Sequence, residues 1–170
     1  MKSGHVKKRK LNQTAKSEAD STKFLSNYLP YLLGHASFVI NKDFNQYVQD
    51  SGISPLEWRI LATLCDEDAL TIGGLVHIVV AQQPTLTKAV KKMEETGLVL
   101  RVTDEEDRRK TLVRVTAEGR RLCNSLIERA LEHEQLWLRR FSAQEVEIVR
   151  RVLHNVIKQG RSSLPFLDPV

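Results

Sequence analysis

At 170 residues, the chain is long enough for one domain of ordinary size or a compact domain carrying extra helices. Its 41% hydrophobic and 28% charged residues, with no apolar run near the roughly 20 residues of a membrane span, describe a soluble protein. The net charge of +5 is accounted for by residues 1–23, where seven lysines and arginines meet two acids, so bulk charge says nothing about the folded part.

That amino-terminal stretch, "HVKKRKLNQTAKSEADS", is polar and is expected to form a flexible basic tail over residues 1–23. No apolar stretch follows it, so it is not a secretory signal. Cys65 and Cys123 form no C-x-x-C pair, and a cytoplasmic, reducing compartment is expected. From about Asn27 to Val48, Leu29, Leu32, Leu33, Ala36, Ile40, Phe44, Tyr47 and Val48 follow a helical spacing that Gly52 ends. In "SPLEW", Ser54 is an N-cap, Pro55 the first helical residue and Glu57 the reciprocal partner of a capping box, opening a helix through about Cys65.

Thr71 is expected to cap a short helix with an apolar face of Ile72, Leu75, Val76 and Val79. After a polar turn, "QQPTLTKAVKKMEETG" starts a helix at Pro84 and stops it at Gly97. "LVLRV" and "TLVRV" then read as two strands joined by the eight residues Thr103 to Lys110. A long helix follows from Thr116 to about Arg140. Ser142 with Glu145 opens another, with Val146, Val149, Leu153 and Val156 forming a coiled-coil-like stripe up to Gly160.

Two short helices across a tight turn, followed by a hairpin, have the order of a winged helix-turn-helix, whose second helix enters the DNA major groove. On Pro84–Thr96 the apolar Leu86, Ala89, Val90 and Met93 share one arc. Pro84, Lys88, Lys91 and Glu95 fall opposite, with Thr85 and Lys92 on one flank and Thr87 on the other. Lysines suit phosphates and guanine edges, and threonines near a helix N-terminus suit phosphates or a thymine methyl. The hairpin tip adds Arg108, Arg109 and Lys110, a cationic finger of the kind that enters a minor groove. Asp107 is placed to aim a neighbouring guanidinium, whereas Asp104, Glu105 and Glu106 have no clear part in the tip.

With "EWRILATL", "QQPTLTKAVKKMEETGLVLRVTDEEDRRKTLVRVTAEGR" and two terminal helices, the chain resembles the MarR family of bacterial regulators over roughly residues 28–160. The Asp-Arg-Arg tip, the Gly-Leu-Val-x-Arg entry to the hairpin and the Val-Thr-x-x-Gly exit from it carry that resemblance in register; Val115 stands where the pattern usually has leucine. The resemblance implies a mainly α fold with a small β-hairpin. A dimerisation helix would occupy residues 24–52, a winged helix-turn-helix DNA-binding lobe 53–116, long carboxy-terminal dimerisation helices 117–160 and a tail 161–170. It implies a homodimer on a palindromic operator, acting as a repressor released by a small aromatic carboxylate or its CoA thioester. The recognition segment would be Gln83 to Lys92, the minor-groove arginine Arg109 and its orienting acid Asp107. A ligand pocket between helices would draw on His35, Ser37, Phe38, Trp58 and Arg59, where an aromatic wall, an imidazole and a guanidinium suit an aromatic acid.

No histidine pair has zinc-binding spacing, and no nucleophile has an adjacent base, so neither a metal, a cofactor nor catalysis is expected. Cys65 and Cys123 sit in helical patterns as small buried residues, which disfavours peroxide sensing. The competing reading is a winged-helix module that binds an acidic protein partner without reading DNA sequence.

Overall fold

The computed structural model describes residues 24–163, with side chains to residue 160. The expected basic tail and residues 164–170 lie outside that range. The chain divides into two compact units, one ending at Asp43 and the other beginning at Phe44.

A four-residue turn of helix, α1 (Phe24–Asn27), precedes the 22-residue α2 (Leu29–Asp50), within which the division falls. Tyr28 separates the two, and Pro30 stands in the first turn of α2, where its missing N–H costs no intrahelical bond. Gly52, at φ 89°, takes the left-handed conformation that turns the chain out of α2.

In the second unit α3 (Pro55–Asp66) opens with the expected capping box: the Ser54 hydroxyl accepts from the Glu57 N–H at 3.2 Å, and Glu57 Oε2 accepts from the Ser54 N–H at 2.6 Å. A two-residue strand, β1 (Leu70–Thr71), leads into α4 (Ile72–Val79), whose cap Thr71 accepts from the Gly74 N–H at 3.0 Å. Val80 leaves α4 at φ 54°, a conformation that costs a β-branched residue about 1–2 kcal/mol. That is the tight turn between the two helices.

The second helix of the pair, α5 (Gln83–Glu95), ends in a Schellman motif. Leu98 N–H donates to the Met93 carbonyl, Gly97 N–H donates to that of Glu94, and Gly97 sits at φ 74°. The buried side chains of Leu98 and Met93 supply the hydrophobic closure of the motif.

Strands β2 (Val99–Thr103) and β3 (Thr111–Val115) pair antiparallel from Val99↔Val115 to Thr103↔Thr111, which leaves a seven-residue tip. The expected loop was one residue longer because Thr103 joins the ladder. β1 pairs with the other edge of β3, Leu70↔Val113, to make a three-stranded sheet ordered β1-β3-β2. Thr116 caps α6 (Ala117–Leu138), accepting from the Gly119 N–H at 3.0 Å and donating to the Gly97 carbonyl at 2.6 Å. Ser142 and Glu145 make the second capping box, opening α7 (Ala143–Ser163), which runs on through Gly160 to Ser163. The core of this unit gathers Ile60, Leu61 and Leu64 of α3, Leu75 of α4, Leu86, Val90 and Met93 of α5, Val113 of β3 and Leu126 of α6. The fold is mainly α with a winged helix-turn-helix lobe. Among the described residues, no helix is long and apolar enough to cross a membrane.

Candidate nucleic-acid interface

The face of α5 turned from the core is set by sequence periodicity: Leu86, Val90 and Met93 are fully buried, and Gln83, Pro84, Thr85, Thr87, Lys88, Lys91 and Lys92 are exposed. The helix cap is Gln82, whose side chain makes no capping bond, so among the described residues the first-turn N–H groups are left without a side-chain cap; Pro84 contributes none of them. Thr87 donates its hydroxyl back to the Gln83 carbonyl at 2.8 Å, which fixes its rotamer.

The lysines of this helix are not equivalent. Among the described residues Lys91 reaches only Glu95, at 3.9 Å, and both side chains are well exposed, an arrangement worth little in water. Lys92 sits 2.9 Å from Glu57 Oε1, and that carboxylate is 4% exposed. Burial pushes the Glu57 carboxyl up, but the Ser54 N–H and Lys92 outweigh it and hold it below its ordinary value. At the far end of the helix Glu94 accepts from Arg101 Nε of β2 at 2.9 Å, tying α5 to the base of the wing. Arg101 lowers the Glu94 carboxyl, and Glu94 raises the Arg101 guanidinium.

The wing tip is built on its acids. Asp104 Oδ1 accepts from the N–H groups of Glu106 and Asp107, folding an Asx turn, and the Asp104 N–H donates to the Lys110 carbonyl to close the loop. Asp107 Oδ1 then accepts from both the N–H and Nε of Arg109 at 3.1 Å, and its other oxygen lies 3.7 Å from Lys110 Nζ. Arg109, first among these, holds the Asp107 carboxyl below its ordinary value. The guanidinium so aimed is 91% exposed. Arg108, Glu105 and Glu106 are exposed around it. The structural part of Asp104 was not read from sequence, although aspartate two residues before an N–H donor is the signature of such a turn.

The expected ligand residues divide between the two units. Trp58 and Arg59 line a cleft of about 290 Å³ with Ala62, Thr63, Asp66, Glu67, Ile78 and Val79, all from the second unit. Among the described residues, Arg59 has no ion-pair partner, and Trp58 meets Phe44 edge-on at 5.7 Å. His35, Ser37 and Phe38 belong to the first unit, where His35 stacks on Tyr31 and Phe38 is exposed. Cys123 is buried and Cys65 half-buried. Burial first, then the neighbouring Cys65, push the Cys123 thiol up to about 12. No group of three or more metal-ligating side chains occurs among the described residues.

The MarR family sequence model matches residues 53–111, from the end of α2 to the start of β3. The regulator PecS of Dickeya dadantii is 30% identical over 129 residues, spanning 74% of this chain and 78% of that protein. A solved MarR-family regulator of Silicibacter pomeroyi, SPO1453, is 35% identical with a TM-score of 0.70 over 79% of this chain and 98% of its own. CouR of Rhodococcus jostii, solved bound to p-coumaroyl-CoA, shares the fold at 22% identity, with a TM-score of 0.72 over 88% of this chain and 99% of its own. The chain belongs to the MarR family of transcriptional regulators.

Proposed function

We propose that this regulator is a homodimer that represses by occupying a palindromic operator, with α5 in the major groove and the wing in the flanking minor groove. The observation that carries the reading is the pairing of an exposed Thr85, Thr87, Lys88 and Lys91 on α5 with a wing arginine held outward by Asp107. Gln83 and Pro84 would approach the backbone at the uncapped helix start, and Arg108 and Lys110 would contact phosphates beside Arg109. Selection from random duplexes is expected to enrich an inverted repeat with half-sites about one helical turn apart, bound with steep salt dependence. Recovery of no inverted repeat would favour the alternative, a winged-helix module for an acidic protein.

We further propose that a small aromatic acid releases the protein from DNA. The cleft beside Trp58 offers an aromatic wall, Arg59 for a carboxylate, and Asp66 and Glu67 as acceptors for ring hydroxyls. A volume of about 290 Å³ suits a single-ring acid or the acyl end of a thioester, not a whole CoA ester. The p-coumaroyl-CoA held by CouR supports the chemistry for this fold. Calorimetry with benzoate, cinnamate, phenylacetate and their hydroxylated forms tests it; no binding and no release from DNA would exclude the effector.

A further inference from the structure

We infer that Lys92 is a positioning residue of α5 and not one of its phosphate contacts, and that Glu57 is what keeps it off the DNA. The inference rests on the DNA-binding reading and narrows it.

The two ends of this ion pair differ in environment. The Lys92 side chain is 60% exposed, whereas that of Glu57 is 4% exposed, and the ammonium straddles the carboxylate at 2.9 Å from Oε1 and 3.3 Å from Oε2. Glu57 cannot follow Lys92 outward. Its Oε2 accepts the Ser54 N–H at 2.6 Å, and its own N–H is held by the Ser54 hydroxyl, so the acid is built into the start of α3. Transfer of Lys92 to a phosphate would leave a buried carboxylate without its counter-charge, a large penalty, in exchange for a contact screened by solvent and salt. Lys92 therefore stays with Glu57 when DNA binds. The clamp ties the third turn of α5 to the first turn of α3 and sets the roll of α5 about its axis, on which the aim of Thr85, Thr87 and Lys88 depends.

This assignment has a signature that a phosphate contact lacks. Each lysine that neutralises a phosphate contributes about 0.9 to the slope of log affinity against log salt. The slope is to be measured by fluorescence anisotropy on a mixed-sequence duplex, and affinity on the duplex that selection enriches. Lys88→Gln is expected to make the slope shallower by about 0.9, and Lys92→Gln to leave it unchanged. Glu57→Gln preserves the capping box, since glutamine serves at that position, but removes the charge that holds Lys92. The freed lysine then reaches phosphate: the slope steepens by about 0.9, and the preference for the selected duplex falls roughly tenfold, the scale of a misaimed base contact. The double variant Glu57→Gln/Lys92→Gln loses the added slope, and Lys92→Arg, which keeps charge and reach, keeps both slope and preference.

A slope made shallower by Lys92→Gln as much as by Lys88→Gln would overturn the assignment. So would a Glu57→Gln protein with wild-type slope and preference. Should Glu57→Gln not fold, as checked by circular dichroism, the comparison of Lys92→Gln with Lys88→Gln decides alone. A wild-type chain whose binding to duplex is independent of salt would overturn the DNA-binding reading itself, and this inference with it, before any variant is made.

Discussion

Gly119 is where a single methyl group matters most. A Cβ built there would lie 2.0 Å from the Leu98 carbonyl oxygen and 2.9 Å from Val115 Cγ2, because α6 starts flush against the turn that joins α5 to β2 and the end of β3. That oxygen already accepts the Thr116 N–H at 3.1 Å, so it cannot withdraw without breaking the joint. Gly119→Ala is expected to destabilise the lobe by roughly 1–3 kcal/mol, the usual cost of overpacking, as read from urea melts. The Val-Thr-x-x-Gly signature thus has a steric cause that a sequence shows only as a spacing. Asp107 is the second instructive residue. Its substitution by alanine removes the acceptor that aims Arg109 but also a negative charge near phosphate, and the two effects have opposite signs. Affinity for mixed-sequence duplex is therefore expected to hold or rise in Asp107→Ala, while preference for the selected duplex falls by roughly twofold to fivefold, the scale of an exposed ion pair. Equal weakening on both duplexes would mean that Asp107 does not aim the wing.

At the scale of elements, what sequence revealed was local, and what it concealed was not. The capping boxes at Ser54 and Ser142, the Thr71 cap and the Gly97 stop are spacings of a few residues, and each stands where the spacing placed it. The apolar arc of α5 was equally legible, since helical period alone separates Leu86, Val90 and Met93 from Lys88 and Lys91. Strand β1 was missed because two residues carry no alternation, and only β3 across the lobe makes them a strand. Lys92 read as one more outward lysine because Glu57 is 35 residues away in the chain. The meeting of Cys65 with Cys123 is of the same kind: α3 brings one and α6 the other, and neither spacing announces it. That packing has a measurable consequence. With its thiol raised from 9.0 to about 12, Cys123 stays protonated in the folded protein while the unfolded chain ionises near 9.0. Its contribution is fully present below 9.0 and is lost as pH rises toward about 12. Cys123→Ala is expected to flatten the alkaline loss of stability across that window in urea melts. An alkaline branch as steep as that of wild type would refute the shift.

For the whole molecule, the question is what covers its apolar ends. On α7, Ile148, Val149, Val152, Val156 and Ile157 are each close to half exposed, at the spacing of a helical seam, and Leu136, Trp137 and Phe141 are exposed at and just beyond the end of α6. In the first unit Leu29, Leu32, Leu33, Val39 and Ile40 are likewise exposed along α2. Single exposed aliphatics are ordinary; stripes that recur on helices at both ends of a chain mark surface that a partner covers. A second copy is the economical occupant, because an inverted-repeat operator needs two groove helices related by a twofold axis. Charges placed in the seam should then separate the copies while leaving each winged lobe intact, since α7 lies outside the core formed by α3, α4, α5, β3 and α6. The double variant Val152→Asp/Val156→Asp is expected to scatter light as a monomer and to retain its helical circular dichroism. Its affinity for the inverted repeat should fall about a hundredfold or more, because the second half-site no longer binds at high effective concentration. Its affinity for a single half-site should match that of wild type. A variant that remains dimeric with both aspartates in place would show that this stripe is not the seam, and the apolar face of α2 would be the next to test.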